Sequence, residues 1–108
     1  MFMDENAPIT LQTDASDFGI GGYLFQTVDN MVQVIMCISK ALVGAQLRWS
    51  VREKECYGIF YCFKVLEDML KHVKFHLKTD HRNLVFINYA LTGKVARWKL
   101  YMQDWYPG

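Results

Sequence analysis

Long apolar runs, paired cysteines and low-complexity tracts are all missing from this sequence. No stretch of about 18 apolar residues occurs, which argues against a membrane-spanning helix. The three cysteines, Cys37, Cys56 and Cys62, form no C-x-x-C pair, and no cysteine and histidine cluster has zinc-ligand spacing. The first eight residues are acidic and lack the cationic and apolar segments of a signal peptide. We therefore expect an intracellular protein with reduced thiols, no zinc site and no contact with membranes.

The composition that is present belongs to one folded domain. The 108 residues are 52% hydrophobic and 15% aromatic, which is enough for a modest core. Residues 1–50 carry two basic and five acidic side chains, whereas residues 51–108 carry ten basic and six acidic ones. The basic residues form either solvated faces or a phosphate-binding surface. They fall mainly into two groups: Lys71, Lys74, Lys78 and Arg82, then Lys94, Arg97 and Lys99.

Alternating apolar residues predict three strands in the first forty residues. Ile9, Leu11 and Thr13 alternate with polar neighbours, and this strand ends at Asp14. A turn rich in aspartate and glycine follows, and residues 21–26 and 32–39 form the next two strands. Because short turns join the three strands, we predict an antiparallel meander.

A capping box marks the start of the main helix. Ser50 is the predicted N-cap, and Glu53 reaches back from the third helical position. The helix is predicted to run to about residue 73 with one face in the core. That face consists of Ile59, Cys62, Phe63, Leu66 and Leu70. Glu53 thus has a structural role, whereas Glu55 lies on the buried side without one.

The second half of the chain repeats a feature of the first strand. Residues 74–80 alternate as a fourth strand and end in Thr79-Asp80, as the first strand ends in Thr13-Asp14. A short apolar helix or turn is predicted at 83–89, and an amphipathic helix at 96–105. The apolar face of that last helix consists of Trp98, Tyr101, Met102 and Trp105.

Topology is predicted to bring three carboxylates together. A right-handed crossover from the third strand through the helix returns to a strand parallel to the first. If the fourth strand pairs with the first, Asp14 and Asp80 lie at the same end of the sheet. The helix that carries Glu55 starts from that end too. Converging carboxylates repel one another unless a divalent cation lies among them, and hard oxygen ligands suit Mg²⁺ or Mn²⁺.

This arrangement has a chemical and a structural interpretation. Two such ions about 3.5–4 Å apart activate water and stabilise the leaving oxygen in a phosphodiester displacement. Alternatively, Asp14 and Asp80 are strand-end turn residues, and Glu55 is a partly exposed acid of the helix.

Five segments occur in this order: LQTDASDFGIGGYLFQ, ISKAL, SVREKECYGIFY, FHLKTDHRNL and ARWKLYMQDW. Together they resemble the ribonuclease H domain of reverse transcriptases, in particular that of gypsy-type long-terminal-repeat retrotransposon Pol polyproteins. The resemblance implies an α/β fold with a mixed five-stranded sheet flanked by helices. It also implies a divalent-metal-dependent endonuclease that cleaves the RNA strand of RNA–DNA hybrids with two Mg²⁺ or Mn²⁺ ions. The family's first three metal-binding carboxylates map onto Asp14, Glu55 and Asp80.

The C-terminal end departs from the family pattern. The family carries a fourth metal-binding aspartate after one more strand, whereas this sequence stops at Gly108, and Asp104 on a predicted helix is a poor substitute. We therefore expect residues 9–108 to form a truncated domain without the family's last strand and last helix, and we expect this fragment alone to be weakly active or inactive. Because the resemblance begins at about residue 9, residues 1–8 are expected to form an N-terminal extension. The fourth strand would become an exposed sheet edge and a candidate homodimer contact.

The resemblance also suggests partners and substrate contacts. Ser16, Arg52, Arg82 and Asn83 flank the carboxylates and are candidate contacts to a hybrid, which is recognised through phosphates and ribose hydroxyls. The implied partners are the RNA–DNA hybrid and the remainder of the reverse transcriptase polyprotein, in the cytoplasm, in retroelement particles or in the nucleus. The alternative is a non-catalytic, degenerate or domesticated ribonuclease H-like module that binds nucleic acid or mediates protein association.

Overall fold

The computed structural model describes residues 7–105, apart from the side chain of Trp105. Most of the predicted N-terminal extension, the final Tyr106-Pro107-Gly108 and the packing role predicted for the Trp105 side chain therefore lie outside the described residues. A short 3₁₀ helix, Gly44–Arg48, precedes the main helix. The strands and helices are β1 (Ile9–Ala15), β2 (Gly19–Val28), β3 (Met31–Ala41), α1 (Val51–Leu70), β4 (His76–Lys78), α2 (His81–Asn88) and α3 (Gly93–Trp105).

The described strands form one mixed sheet in the order β3-β2-β1-β4. β2 is antiparallel to both β1 and β3, whereas β4 is parallel to β1. This confirms the predicted α/β fold with a meander, a crossover helix and a fourth strand parallel to the first. Leu11 pairs with Leu77 and Gln12 with Lys78, so Asp14 and Asp80 each lie two residues beyond the last pair at the same end of the sheet.

Most element boundaries differ from the prediction by one to three residues, and two of these differences have clear physical reasons. β2 begins at Gly19, because Gly19 and Gly21 pair with β3 instead of forming the turn. The turn itself is short and is closed by the Ser16 N–H, which donates to the Gly19 carbonyl oxygen at 2.8 Å. β4 ends at Lys78, because Asp80 is the N-cap of α2 rather than a strand residue.

α1 packs against one face of the sheet and forms the core with it. All five residues of its predicted core face are buried, as are Leu11 and Leu24 of the sheet. The helix lies so close that a Cβ atom at Gly22 would be 2.7 Å from the Cys62 Sγ atom. At Gly58 a Cβ atom would lie 3.6 Å from the Asp14 carbonyl oxygen, so α1 crosses directly over the end of β1. Glu55, one turn before Gly58, is thereby brought to that end of the strand.

The start of α1 and the helix α3 are joined by aromatic rings and an ion pair. Ser50 caps α1 and Glu53 completes the predicted capping box. The Glu53 carboxylate also binds the Lys94 ammonium group at 2.5 Å. Trp98 of α3 stacks on Phe60, with 5.6 Å between ring centroids. Trp98 also contacts Trp49 at a centroid distance of 5.5 Å, so both tryptophans are packing residues.

The described helices leave the second face of the sheet uncovered. Tyr23 projects from it and is 55% exposed. None of the helices in residues 7–105 is both long enough and apolar enough to cross a membrane.

Candidate active site

Asp14 and Glu55 lie together where α1 crosses the end of β1. The Asp14 Oδ1 atom accepts the Ala15 N–H at 2.9 Å. Burial raises the pKa of the Glu55 carboxyl, and the negative charge of Asp14 raises it further. The positive charge of Arg52 and hydrogen bonds from Ala15 and Asn83 oppose that rise in the pKa of Glu55. The two carboxylates therefore lie near each other at this end of the sheet, with Glu55 partly buried and Asp14 exposed.

Asp80 lies at the same end of the sheet, but its carboxylate is bound by Arg82. The Arg82 backbone N–H donates to Oδ1 at 2.9 Å, which caps α2. The Arg82 guanidinium group donates to Oδ2 at 2.7 Å. These hydrogen bonds, with a smaller contribution from the charge of Arg52, hold the pKa of Asp80 well below its usual range. Asp80 is thus a helix cap and half of an ion pair in this structure.

Arg52 connects the two parts of the site. Its positive charge lowers the pKa of both Glu55 and Asp80, so it lies within electrostatic reach of both carboxylates. Its guanidinium group donates a hydrogen bond to the Asn83 Oδ1 atom. As part of the first turn of α1, Arg52 is only half-buried, which leaves part of its side chain open to solvent.

Asn83 lies beneath these groups and is fully buried. Its Nδ2 atom donates to the Thr79 Oγ1 atom at 3.0 Å and to the Glu55 Oε2 atom at 3.5 Å. Its backbone N–H donates to the Asp80 carbonyl oxygen at 2.9 Å. The sequence suggested Asn83 as a substrate contact, and that remains a prediction. In this structure its polar atoms face Arg52, Glu55 and Thr79.

Ser16 and Lys54 shape the turn beside Asp14. The Ser16 hydroxyl oxygen accepts the Gly19 N–H at 3.1 Å and is exposed at the turn. Lys54 is buried, and its ammonium group donates to the Asp17 carbonyl oxygen at 3.0 Å, which ties α1 to the turn. Sequence reasoning missed Lys54, because a charged residue in a first helical turn ordinarily points to solvent. The only feature of the sequence that could have indicated a role for Lys54 is its position next to Glu55.

The donor chemistry at this end of the sheet suits a hard divalent cation only in part. Among residues 7–105, no three histidine, cysteine, aspartate or glutamate side chains are grouped as a metal site. Asp14 and Glu55 supply paired oxygen ligands of the kind that Mg²⁺ prefers. Asp80 is turned to Arg82, and His81 is exposed beside it. The predicted three-carboxylate site therefore requires Arg82 to release Asp80.

The surroundings of the site are open and carry exposed basic residues. A cleft of about 500 Å³ runs from Asp14 and Ser16 across the sheet to Tyr23 and Ser39. The first basic group of the sequence is exposed to solvent: Lys71, Lys74, Lys78 and Arg82. The second group is partly engaged in packing, since Lys94 binds Glu53 and the Lys99 ammonium group donates to the Asn88 carbonyl oxygen at 2.8 Å.

Comparison with known proteins gives the chain its family. Residues 4–105 match the family model described as an RNase H-like domain found in reverse transcriptase. The chain is similar to the transposon Tf2-3, Tf2-4 and Tf2-5 polyproteins of Schizosaccharomyces pombe (strain 972 / ATCC 24843). Each is 34% identical over 108 residues, covering 94% of this chain and 8% of the polyprotein. The chain thus spans a small part of these relatives.

The family match covers nearly the whole sequence, and the sheet order and the parallel pairing of β1 with β4 agree with it. This confirms the resemblance that the five sequence segments indicated. The chain belongs to the ribonuclease H-like domains found in reverse transcriptases.

Proposed function

We propose that this domain is a divalent-metal-dependent endonuclease that cleaves the RNA strand of RNA–DNA hybrids as part of a retrotransposon reverse transcriptase. The observation that carries the proposal is the carboxylate pair at the end of β1. The charge of Asp14 adds to burial in raising the pKa of Glu55, so the two groups are held together against their repulsion. A bound cation would remove that cost. Family membership supports the same reaction.

Under this proposal, Asp14 and Glu55 would hold Mg²⁺ or Mn²⁺, and Asp80 would join them on release from Arg82. Two such ions would supply an activated water and stabilisation of the leaving oxygen. The chain's own residues provide the orientation. Lys54 fixes the turn that follows Asp14, and the packing of α1 over the end of β1 near Gly58 presents Glu55.

The hybrid would lie against the basic and polar side chains around the carboxylates. A guanidinium group binds phosphate oxygens in a bidentate manner, and hybrids are recognised largely through backbone phosphates and ribose hydroxyls. Arg82 is exposed and Arg52 is partly so, which supports contact with phosphates. Ser16 is exposed on the turn next to Asp14 and is the proposed hydroxyl contact. Release of Asp80 would leave the Arg82 guanidinium group available to the substrate.

We further propose that the domain works joined to the remainder of a reverse transcriptase polyprotein, in the cytoplasm, in retroelement particles or in the nucleus. The similar transposon proteins are polyproteins, which supports this. A homodimer through a sheet edge belongs to the same proposal. β4 is one edge of the described sheet, as expected, but β3 is the other edge and is longer, with 11 residues. Sedimentation of residues 1–108 over a range of concentrations tests this, and a monomer throughout would contradict it.

A second candidate function is a non-catalytic module of the same fold that binds nucleic acid or mediates protein association. The ion pair between Arg82 and Asp80 favours it, because an internal counter-ion occupies a carboxylate that catalysis would need. Exposed basic side chains would then bind phosphate without cleavage.

The test is single-turnover cleavage of a labelled RNA–DNA hybrid by residues 1–108 in Mg²⁺ or Mn²⁺. Asp14→Asn should abolish cleavage while retaining most of the hybrid binding. Asp17→Asn is the matched control, since Asp17 is an exposed aspartate in the adjacent turn. Its side chain lies outside the proposed metal site, so this variant should cleave like the parent.

Each outcome separates the two candidates. Metal-dependent cleavage that Asp14→Asn abolishes and Asp17→Asn retains supports the enzyme. Hybrid binding without any cleavage in either metal, both by residues 1–108 and by the same domain joined to the rest of its polyprotein, supports the non-catalytic module. Cleavage that persists at full rate in Asp14→Asn would contradict the proposed site.

A further inference from the structure

We infer that Asn83 is a positioning residue that couples Glu55 to the Asp80 end of the site, rather than a group that touches the substrate. This inference rests on the proposed function, because it concerns the same carboxylates. The first observation is the burial of the Asn83 side chain. Asn83 is fully buried, so none of its surface is presented to a ligand in this structure.

The hydrogen bonds of Asn83 leave its amide only one orientation. The Oδ1 atom accepts from the Arg52 guanidinium group, which has donors only. The Nδ2 atom must then face the opposite way, where it donates to the Thr79 hydroxyl at 3.0 Å and the Glu55 carboxylate at 3.5 Å. A rotated amide would set its NH₂ group against the Arg52 cation and its oxygen against Glu55. The orientation is therefore fixed by its neighbours.

These contacts join three separate elements at the site. Arg52 and Glu55 belong to the first turns of α1, Thr79 follows β4, and Asn83 belongs to the first turn of α2. The Asn83 backbone N–H also donates to the Asp80 carbonyl oxygen. A single buried side chain thus links the helix that carries Glu55 to the strand end that carries Asp80.

Asn83 also holds the side chain of Arg52. It lies within electrostatic reach of Glu55 and Asp80, and its guanidinium group is hydrogen-bonded to Asn83. Loss of Asn83 would release the guanidinium group and remove a donor from Glu55 in one step. Residues that orient metal ligands from behind typically change metal affinity by about 10- to 100-fold when they are replaced. We expect an effect of that order for Asn83.

The experiment is a titration of ¹⁵N-labelled protein with Mn²⁺, followed by paramagnetic broadening of individual backbone amide signals. The amides of Ala15 and Glu55 report on one part of the site, and that of Arg82 reports on the other. The variants are Asn83→Ala, Asn83→Ser and the control Asn88→Ala, an exposed asparagine of the same helix. Asn83→Ser keeps a small donor and is used where Asn83→Ala does not fold. Urea unfolding of each variant measures stability separately.

In the parent, the three amides should broaden over the same range of Mn²⁺ concentration. In a folded Asn83 variant, the Mn²⁺ concentration that half-broadens these amides should rise about tenfold, because the affinity for the ion falls. Asn88→Ala should match the parent. A purely structural role would lower stability but leave that Mn²⁺ concentration unchanged. That result would overturn the inference and leave the proposed function intact. A parent without broadening at any of these amides would overturn both.

Discussion

Arg82 binds Asp80 through its main chain and its side chain at once. The backbone N–H lies 2.9 Å from Oδ1, and the guanidinium group lies 2.7 Å from Oδ2. The same carboxylate therefore serves as helix cap and as ion-pair partner. Under the proposed function, a divalent cation and Arg82 compete for it.

Removing this competitor should strengthen metal binding by the free protein. Arg82→Gln deletes the guanidinium group and keeps the capping N–H, so Asp80 becomes accessible while α2 stays capped. Because exposed ion pairs are weak, we expect a gain in Mn²⁺ affinity of about two- to fivefold by calorimetry. Hybrid affinity should fall in the same variant. Arg97→Gln, at an exposed arginine of α3, is the control. Unchanged or weaker Mn²⁺ binding would show that Asp80 is not a ligand.

Glu55→Gln should remove a pH dependence of stability. Burial and Asp14 raise the pKa of Glu55 in the folded protein, so the folded state binds its proton more strongly than the unfolded state. Ionised Glu55 therefore lowers the free energy of unfolding at pH values above its raised pKa. This loss disappears as the pH falls toward the pKa of a glutamate in the unfolded chain, which is about 4.3. Metal-free Glu55→Gln should be at least as stable as the parent at pH 7, and the difference should shrink toward pH 4.

Urea unfolding at several pH values measures this difference. Added Mg²⁺ should then stabilise the parent and leave Glu55→Gln unchanged, since a ligand that binds only the folded state raises stability. A variant that is clearly less stable than the parent at pH 7 without metal would favour the structural interpretation of Glu55.

Ser50→Ala should destabilise the protein without affecting the proposed chemistry. The Ser50 hydroxyl accepts the Glu53 N–H at 3.2 Å, and the Ser50 N–H donates to the Glu53 carboxylate at 2.9 Å. Loss of such a cap costs about 0.5–2 kcal/mol. Glu53→Ala should cost at least as much, because the ion pair with Lys94 is lost as well. Denaturation measures stability, and hybrid cleavage should persist in both. Loss of cleavage in folded Ser50→Ala would contradict the separate roles of Glu53 and Glu55.

Gly22→Ala should be strongly destabilising, whereas Gly58→Ala should not be. A Cβ atom at Gly22 would lie 2.7 Å from the Cys62 Sγ atom and 3.3 Å from the Gln12 carbonyl oxygen. Such overpacking costs about 1–3 kcal/mol. Adding Cys62→Ala should recover part of that loss, which a double-mutant cycle detects. At Gly58 the nearest atom is 3.5 Å away, so the gain in helix propensity should make that variant about 0.5–1 kcal/mol more stable. A fully additive cycle would contradict the close contact between β2 and α1.

The three cysteines should differ sharply in reactivity. Burial raises the pKa of the Cys56 and Cys62 thiols to about 12, whereas Cys37 is exposed on β3. Because the thiolate is the reactive form, iodoacetamide at pH 8 should label Cys37 and spare the other two in the folded protein. Mass spectrometry after digestion identifies the labelled residues, and guanidinium chloride should expose all three. Rapid labelling of Cys62 in the native protein would show that α1 does not pack as described.

Local patterns in the sequence determined much of this fold. Alternation predicted β1, the capping box predicted the start of α1, and helical spacing predicted its buried face. These signals are local, since each depends on residues within a few positions of one another. The family segments likewise identified Asp14, Glu55 and Asp80 as candidates. The crossover rule predicted a fourth strand parallel to the first, whereas the pairing of these two strands entered only as a condition.

Only the tertiary structure decided how these candidates are arranged. Lys54 is drawn inward to Asp17, and Asn83 is buried between Arg52 and Glu55. Each of these contacts joins residues far apart in sequence, so no local pattern encodes it. The choice between a helix cap and a metal ligand at Asp80 depends on which cation reaches its carboxylate. That competition is electrostatic and is settled by distances that exist only in the folded chain.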